Sequence, residues 1–199
     1  TGGHILLEGL PGLAKTLSVN SLAKTMKADF KRIQFTPDML PADLIGTNVF
    51  NPKDGTFSPK KGPVFANIIL ADEINRTPPK TQSALLEAMQ ERQVTIGDET
   101  FPLDEPFLVM ATQNPVEQEG TYPLPVSQLD RFLFNVLIDY PSAEEEFVVM
   151  ERTTSAYQSD VRCLVDEAWL LEALSLVRRI DISYTLLDYA TRIVRASRP

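Results

Sequence analysis

The chain has 199 residues and a formal net charge of −8, from 19 Lys and Arg against 27 Asp and Glu. This length allows a full hydrophobic core, and the acidic balance makes a nucleic-acid partner unexpected, because phosphate backbones bind basic patches. The apolar runs are too short to cross a membrane, and the single cysteine, Cys163, excludes an internal disulfide framework, so we expect a cytoplasmic protein.

The first motif is a glycine-containing loop between a short apolar run at 5–7 and a helix-forming stretch. Its residues are Gly9, Leu10, Pro11, Gly12, Leu13, Ala14, Lys15 and Thr16. In such a loop, backbone N–H groups and the positive end of the helix both face a phosphate. We expect Lys15 to reach the terminal phosphates of a nucleoside triphosphate and Thr16 to bind Mg²⁺. The alternative is an ordinary strand-to-helix turn, and Ala14 stands where the general pattern has glycine.

Apolar runs then alternate with helical patterns along the chain, which predicts an α/β fold with a doubly wound parallel sheet of five strands. The predicted strands lie near 4–8, 30–35, 67–72, 107–112 and 134–139, and the helices near 15–27, 78–92 and 125–132. In the second helix, Leu85, Leu86 and Met89 are spaced to bury one face.

Two further segments, 49–57 and 94–101, interrupt this alternation and are predicted to be inserted hairpins. The first turns at Asp54-Gly55 and the second at Gly97-Asp98, both of which tolerate the positive φ of tight turns. Periodicity alone favours their interpretation as surface loops without a function.

After Pro141 the pattern becomes purely helical. Ser142 and Glu145 have the spacing of a capping box, which predicts a helix start there. Two apolar stripes follow, at 170–177 and at 187–194. The sequence therefore predicts two domains, an α/β core over 1–141 and a small helical domain over 142–199.

Candidate catalytic groups follow two of the predicted strands. Asp72 and Glu73 end an apolar strand, and on a continuing strand they would point to opposite sides, so that Asp72 binds Mg²⁺ and Glu73 deprotonates the attacking water. Asn114 ends the next strand, beside the phosphates. The alternatives are an acidic pair that merely closes a strand and an asparagine that starts a turn before Pro115.

Five motifs together resemble the MoxR family of AAA+ ATPases over nearly the whole chain. They are the loop at 9–16, Ala71-Asp72-Glu73-Ile74-Asn75-Arg76, the segment 85–91, Ala111-Thr112-Gln113-Asn114-Pro115 and Gln128-Leu129-Asp130-Arg131-Phe132. The resemblance implies ATP and Mg²⁺ as cofactors, with residues 9–16 and Asp72 around the nucleotide and Thr16 and Asp72 at the metal. It implies that Glu73 is the catalytic carboxylate, that Asn114 is the sensor amide, and that the two hairpins face a central pore.

Arg131 is the position at which the resemblance implies an arginine finger, which stabilises the transition state in the neighbouring subunit's site. A local pair with Asp130 or Glu119 is the alternative, and Arg76 is a second contender. The family further implies a hexameric chaperone for protein complexes, with a partner carrying a von Willebrand factor A domain. Because no adenine-covering segment and no sensor-2 arginine are recognisable, we expect a piece of a longer protein.

Two other functions remain open from the sequence. One is a nucleotide-gated oligomeric scaffold with little turnover. The other is a DNA-remodelling ATPase, which the acidic charge disfavours.

Overall fold

A computed structural model describes residues 2–9, 15–53, 55–114, 120–154 and 161–198. The strands are β1 (His4–Gly9), β2 (Phe30–Gln34), β3 (Gly46–Asn51), β4 (Thr56–Lys61), β5 (Ile68–Asp72), β6 (Gln93–Ile96), β7 (Glu99–Pro102), β8 (Leu108–Gln113) and β9 (Phe132–Ile138). The helices are α1 (Lys15–Thr25), α2 (Pro41–Ile45), α3 (Pro79–Glu91), α4 (Val126–Leu129), α5 (Ala143–Thr154), α6 (Glu167–Val177) and α7 (Tyr184–Ala196). A short 3₁₀ turn covers Ile74–Arg76.

The core is a parallel sheet of five strands in the order β2-β5-β8-β1-β9. All five residues of β5 are buried, as expected for a strand covered on both faces. One face packs on α1 through a cluster that includes Leu7, Val19, Ala23, Ile68, Leu70 and Met110. The other face packs on α3 through a cluster that includes Leu6, Ile33, Ile69, Ala71, Leu85, Leu86 and Met89. The fold class predicted from the sequence is therefore confirmed.

The predicted strands agree with the observed ends to within two residues, and the first two helices are slightly shorter than predicted. The helix predicted over 125–132 is wrong in extent, because α4 stops at Leu129. The chain then joins the sheet at once, since Phe132 pairs with His4 of β1. Helix α2 was not predicted; it begins at Pro41, and Asp43 accepts a hydrogen bond from the backbone N–H of Leu40 at 2.8 Å.

Both predicted hairpins form, β3 with β4 and β6 with β7, each as an antiparallel pair. The turn residue Asp54 lies outside the described residues. Gly97 has φ +63°, and a Cβ added there would lie 2.2 Å from Nδ2 of Asn48 in β3. The turn of the second hairpin therefore approaches the first hairpin closely, and only glycine fits this approach.

Helices α5, α6 and α7 form the last part of the chain. The predicted capping box starts α5: the backbone N–H of Ser142 donates to Glu145 Oε2 at 2.8 Å, and the backbone N–H of Glu145 donates to Ser142 Oγ at 3.4 Å. The bond from the Ser142 backbone N–H, together with one that the Ser142 hydroxyl donates to the same oxygen at 3.0 Å, lowers the pKa of Glu145. A domain boundary at 141 stays a prediction. Among the described residues, no helix has the length and apolarity needed to cross a membrane.

Candidate functional site

The predicted site residues follow strand ends at one edge of the sheet. β5 ends at Asp72, β1 ends at Gly9, and Asn114 comes directly after β8. The parallel register aligns these ends, since Ala71 pairs with Ala111 of β8. In open α/β sheets this is the edge where ligands bind.

Lys15 opens α1 at this edge. Its Nζ donates to the carbonyl oxygen of Gly9 at 2.7 Å. Partial burial lowers the pKa of Lys15, and the negative charges of Asp72 and Glu73 oppose that shift. The structure therefore brings the lysine and both acids into one electrostatic environment. Thr16 is half-buried beside Lys15 in the first turn of α1, while Leu10 to Ala14 lie outside the described residues.

Asp72 is 8% exposed, and both of its carboxylate oxygens are hydrogen-bonded. Thr112 of β8 donates its hydroxyl to Oδ1 at 2.6 Å. Arg32 of β2 donates to Oδ2 from Nε at 3.1 Å and from Nη2 at 2.6 Å. Side chains of the two neighbouring strands, β2 and β8, thus hold the carboxylate in place without a ligand.

Glu73 corrects the expectation that the strand continues past Asp72. Its φ and ψ are 58° and 50°, in the left-handed region, so the chain turns away and enters the 3₁₀ turn. This conformation is uncommon for glutamate, and strain of this kind concentrates at functional sites. The backbone N–H of Glu73 donates to the Thr112 hydroxyl at 2.9 Å, so one hydroxyl contacts both acidic residues.

The side chain of Glu73 is held by two donors. Gln34 donates Nε2 to Oε2 at 2.9 Å, and Arg76 donates Nε to the same oxygen at 3.1 Å. The Gln34 amide is itself oriented by Arg32, whose Nη2 donates to Gln34 Oε1 at 2.9 Å. Arg76, the second contender for an arginine finger, is in this structure a partner of Glu73 in its own chain.

Asn114 is half-buried next to this group, and its carbonyl accepts a bond from Asn75 Nδ2 at 3.4 Å. The segment after Glu73 is anchored to α3 by Gln82, which is 1% exposed. Gln82 Nε2 donates to the carbonyls of Ile74, Thr77 and Tyr122, at 3.2, 3.1 and 2.8 Å. The turn that carries Glu73 is therefore fixed to a long helix.

Arg131 contacts α3 rather than these acids. It is exposed, and its Nη1 donates to the carbonyl of Leu86 in α3 at 3.0 Å. Together with Glu87, Glu91 and Gln128, it lines a cavity of about 380 Å³ between α3 and α4. Glu119, one of the two local partners considered for Arg131, lies outside the described residues. Among the candidate residues that the structure describes, none forms a hydrogen bond or ion pair with Arg131.

The comparisons with known proteins agree with this geometry. The family model described as "ATPase family associated with various cellular activities (AAA)" matches residues 4–134. Chaperone MoxR1 of Mycobacterium tuberculosis is 50% identical over 98% of this chain, and Protein MoxR of Paracoccus denitrificans is 33% identical over 74%. The chain belongs to the MoxR family of AAA+ ATPases.

A solved crystal structure of a candidate ATPase from Cytophaga hutchinsonii supports the MoxR-family fold. It is 59% identical to this chain, has a TM-score of 0.89 and aligns with all of it. The 199 residues cover 60% of that protein, 52% of the mycobacterial chaperone and 44% of the Paracoccus protein. The chain thus spans about half the length of the relatives it matches.

The donor set of this MoxR-family site fits a metal-bound nucleotide. An ammonium group and a threonine hydroxyl lie at the N-terminus of α1, and two carboxylates lie at the end of β5, which β8 separates from β1. Mg²⁺ bound with a nucleotide needs only one or two protein ligands, because phosphates and water supply the others. In the described part of the chain, no cluster of three or more His, Cys, Asp or Glu side chains is arranged to hold a metal.

Sequence reasoning missed three residues of this site: Arg32, Gln34 and Thr112. A signal for the first two was present, because β2 reads Phe-Lys-Arg-Ile-Gln and its polar residues at 32 and 34 share one face by the period of two. Placing them beside Asp72 required the register in which Gln34 pairs with Asp72, which the sequence does not specify. Thr112 stood within a recognised motif without an assigned function.

Proposed function

We propose that this MoxR-family protein binds Mg²⁺-ATP at the edge formed by Lys15, Thr16, Asp72 and Glu73, and hydrolyses it. Lys15 binds the terminal phosphates, with the backbone of residues 9–14 around them. Thr16 and Asp72 hold the metal, which when bound neutralises charge that develops on the phosphates.

In this proposal Glu73 orients the attacking water and takes its proton. Asn114 polarises the water or the γ-phosphate from the adjacent strand end. Arg131 acts on the neighbouring subunit's nucleotide, and its exposure and its contact with α3 instead of Asp72 or Glu73 support this role.

The observation that carries the proposal is the shared environment of one ammonium group and two carboxylates at the carboxyl edge of the sheet. Lys15 and Asp72 belong to different elements, separated by 57 positions along the chain. The fold nevertheless places their charges close enough to affect the pKa of Lys15, although burial has the larger effect. An ordinary strand-to-helix turn with a solvated lysine would not produce this convergence.

The test is Glu73→Gln in the complete protein, with nucleotide affinity and steady-state phosphate release measured separately. Binding should persist, because Glu73 carries no assigned contact to the nucleotide, and turnover should fall by at least about a hundredfold, the size of a lost general base. Glu151→Gln, on exposed α5, is the matched control and should leave both quantities unchanged. Unchanged turnover in Glu73→Gln would remove this residue from the mechanism.

We further propose that hydrolysis drives the remodelling or maturation of protein complexes by a hexamer, with a partner carrying a von Willebrand factor A domain. The name of the mycobacterial relative, Chaperone MoxR1, supports the chaperone part of this proposal. Phosphate release at oligomer-forming concentrations distinguishes a remodelling ATPase from a scaffold with little turnover. A cytoplasmic location stays a prediction.

A further inference from the structure

Arg32 occupies one oxygen of the carboxylate to which the proposed function assigns the metal. Two of its nitrogens donate to Asp72 Oδ2, which satisfies both acceptor positions of that oxygen. Thr112 takes one position on Oδ1. In this arrangement Asp72 is already neutralised by a cation from its own chain.

The sheet register explains why Arg32 reaches this position. β2 and β5 are parallel neighbours, with Arg32 paired to Leu70 and Gln34 paired to Asp72. Residues two apart on a strand share a face, and paired residues on neighbouring strands share it too. Leu70 packs in the cluster beneath α1, so Arg32 and Asp72 lie on the face where α1 carries Lys15.

We propose that Arg32 takes the place of the metal's charge beside Asp72 in the nucleotide-free protein and leaves Asp72 when a metal-bound nucleotide binds. This inference rests on the proposed function. Arg32 then raises the Mg²⁺ concentration that nucleotide binding requires, because its guanidinium competes with the metal for the same carboxylate oxygen. It is a positioning residue and makes no contact with the reacting atoms.

The exposure of the two partners supports this exchange. The Arg32 side chain is 49% exposed, whereas that of Asp72 is 12% exposed. The guanidinium can therefore move into water at little cost, while the carboxylate remains in the site. Arg32 also holds the Gln34 amide that contacts Glu73, so its departure releases a restraint on the second acid.

The experiment uses the complete protein and a fluorescent derivative of ADP as the probe. Binding at a fixed probe concentration is titrated with Mg²⁺, and the half-saturating concentration is compared between wild type and variants. In Arg32→Ala it should fall about fivefold, the size of one partly exposed ion pair. Arg32→Lys, which keeps the charge but loses the forked donors, should give an intermediate value.

Lys31→Ala is the matched control, because Lys31 precedes Arg32 on β2 and points to the opposite face of the sheet. It removes the same charge, so any general electrostatic effect on Mg²⁺ affinity appears in it too. Circular dichroism checks that each variant folds.

An unchanged or raised Mg²⁺ requirement in Arg32→Ala, relative to Lys31→Ala, would overturn the role of Arg32 and leave the proposed function standing. A wild-type protein that binds no nucleotide at any Mg²⁺ concentration would overturn both.

Discussion

Thr112→Val tests whether one hydroxyl organises the acidic end of β5. Thr112 is 1% exposed, and valine has nearly the same shape, so the change removes hydrogen bonds without leaving a cavity. Two bonds are lost: the one accepted from the backbone N–H of Glu73 at 2.9 Å, and the one donated to Asp72 at 2.6 Å.

The expected cost follows from the chemistry of these two bonds. A neutral hydrogen bond contributes about 1 kcal/mol to stability and one to a charged acceptor about 2 kcal/mol, so the free energy of unfolding should fall by about 3 kcal/mol. Glu73 has a left-handed backbone, and the bond to Thr112 is one of the contacts that hold it there. We therefore also expect turnover to fall, because both acids lose a positioning partner.

Urea denaturation at neutral pH, followed by circular dichroism, measures the loss. Thr112→Ser keeps the hydroxyl and should recover most of the stability, while Thr47→Val, on the exposed hairpin strand β3, should change it little. A loss below about 0.5 kcal/mol in Thr112→Val, within the range of ordinary surface substitutions, would refute the reasoning.

Two further predictions concern His4 and the subunit contact. Burial lowers the pKa of His4 from 6.5 to about 4, so the neutral ring is favoured in the folded state, and its contribution to stability is complete above pH 6.5 and lost as pH falls towards 4. Between pH 7.5 and pH 5, this difference in pKa should lower the free energy of unfolding by about 2 kcal/mol. Urea titrations of His4→Asn should lack that part of the pH dependence. An equal pH dependence of the free energy of unfolding in the wild type and the variant would contradict the prediction. Mixing Arg131→Ala with Lys15→Ala subunits, each inactive alone, should restore some ATPase activity if Arg131 acts across an interface, and no recovery at any ratio would indicate a purely local function.

The parts of the fold that local patterns determine were predictable. β5 consists entirely of buried residues, and the apolar spacing of α3 places Leu85, Leu86 and Met89 on one face. Ser142 and Glu145 satisfy each other's backbone groups whatever surrounds them, so their capping box could be predicted from spacing. The end of α4 could not be predicted from a local pattern, because it depends on the pairing of Phe132 with β1, which joins distant parts of the chain.

In the candidate site, too, local patterns could be predicted and contacts between distant residues could not. That Asp72 and Asn114 lie at one edge could be predicted, because Asp72 ends one strand of a parallel sheet and Asn114 follows another. The left-handed conformation of Glu73 was missed, since glutamate has no preference for it and only the bond to Thr112 and the following 3₁₀ turn show it. Arg32 was missed because its partner lies 40 positions away, on a strand whose register the sequence does not reveal.

Gln82 has a mechanical consequence for a protein that is proposed to convert hydrolysis into movement. Its bonds to the carbonyls of Ile74 and Thr77 join the turn after Glu73 to α3, a helix of 13 residues that spans about 20 Å. The far end of that helix runs directly into the second hairpin, and its middle touches Arg131. A small displacement beside the acids would therefore move α3 as a rigid body, and with it the start of the second hairpin and Arg131, the residue proposed to act on a neighbouring subunit.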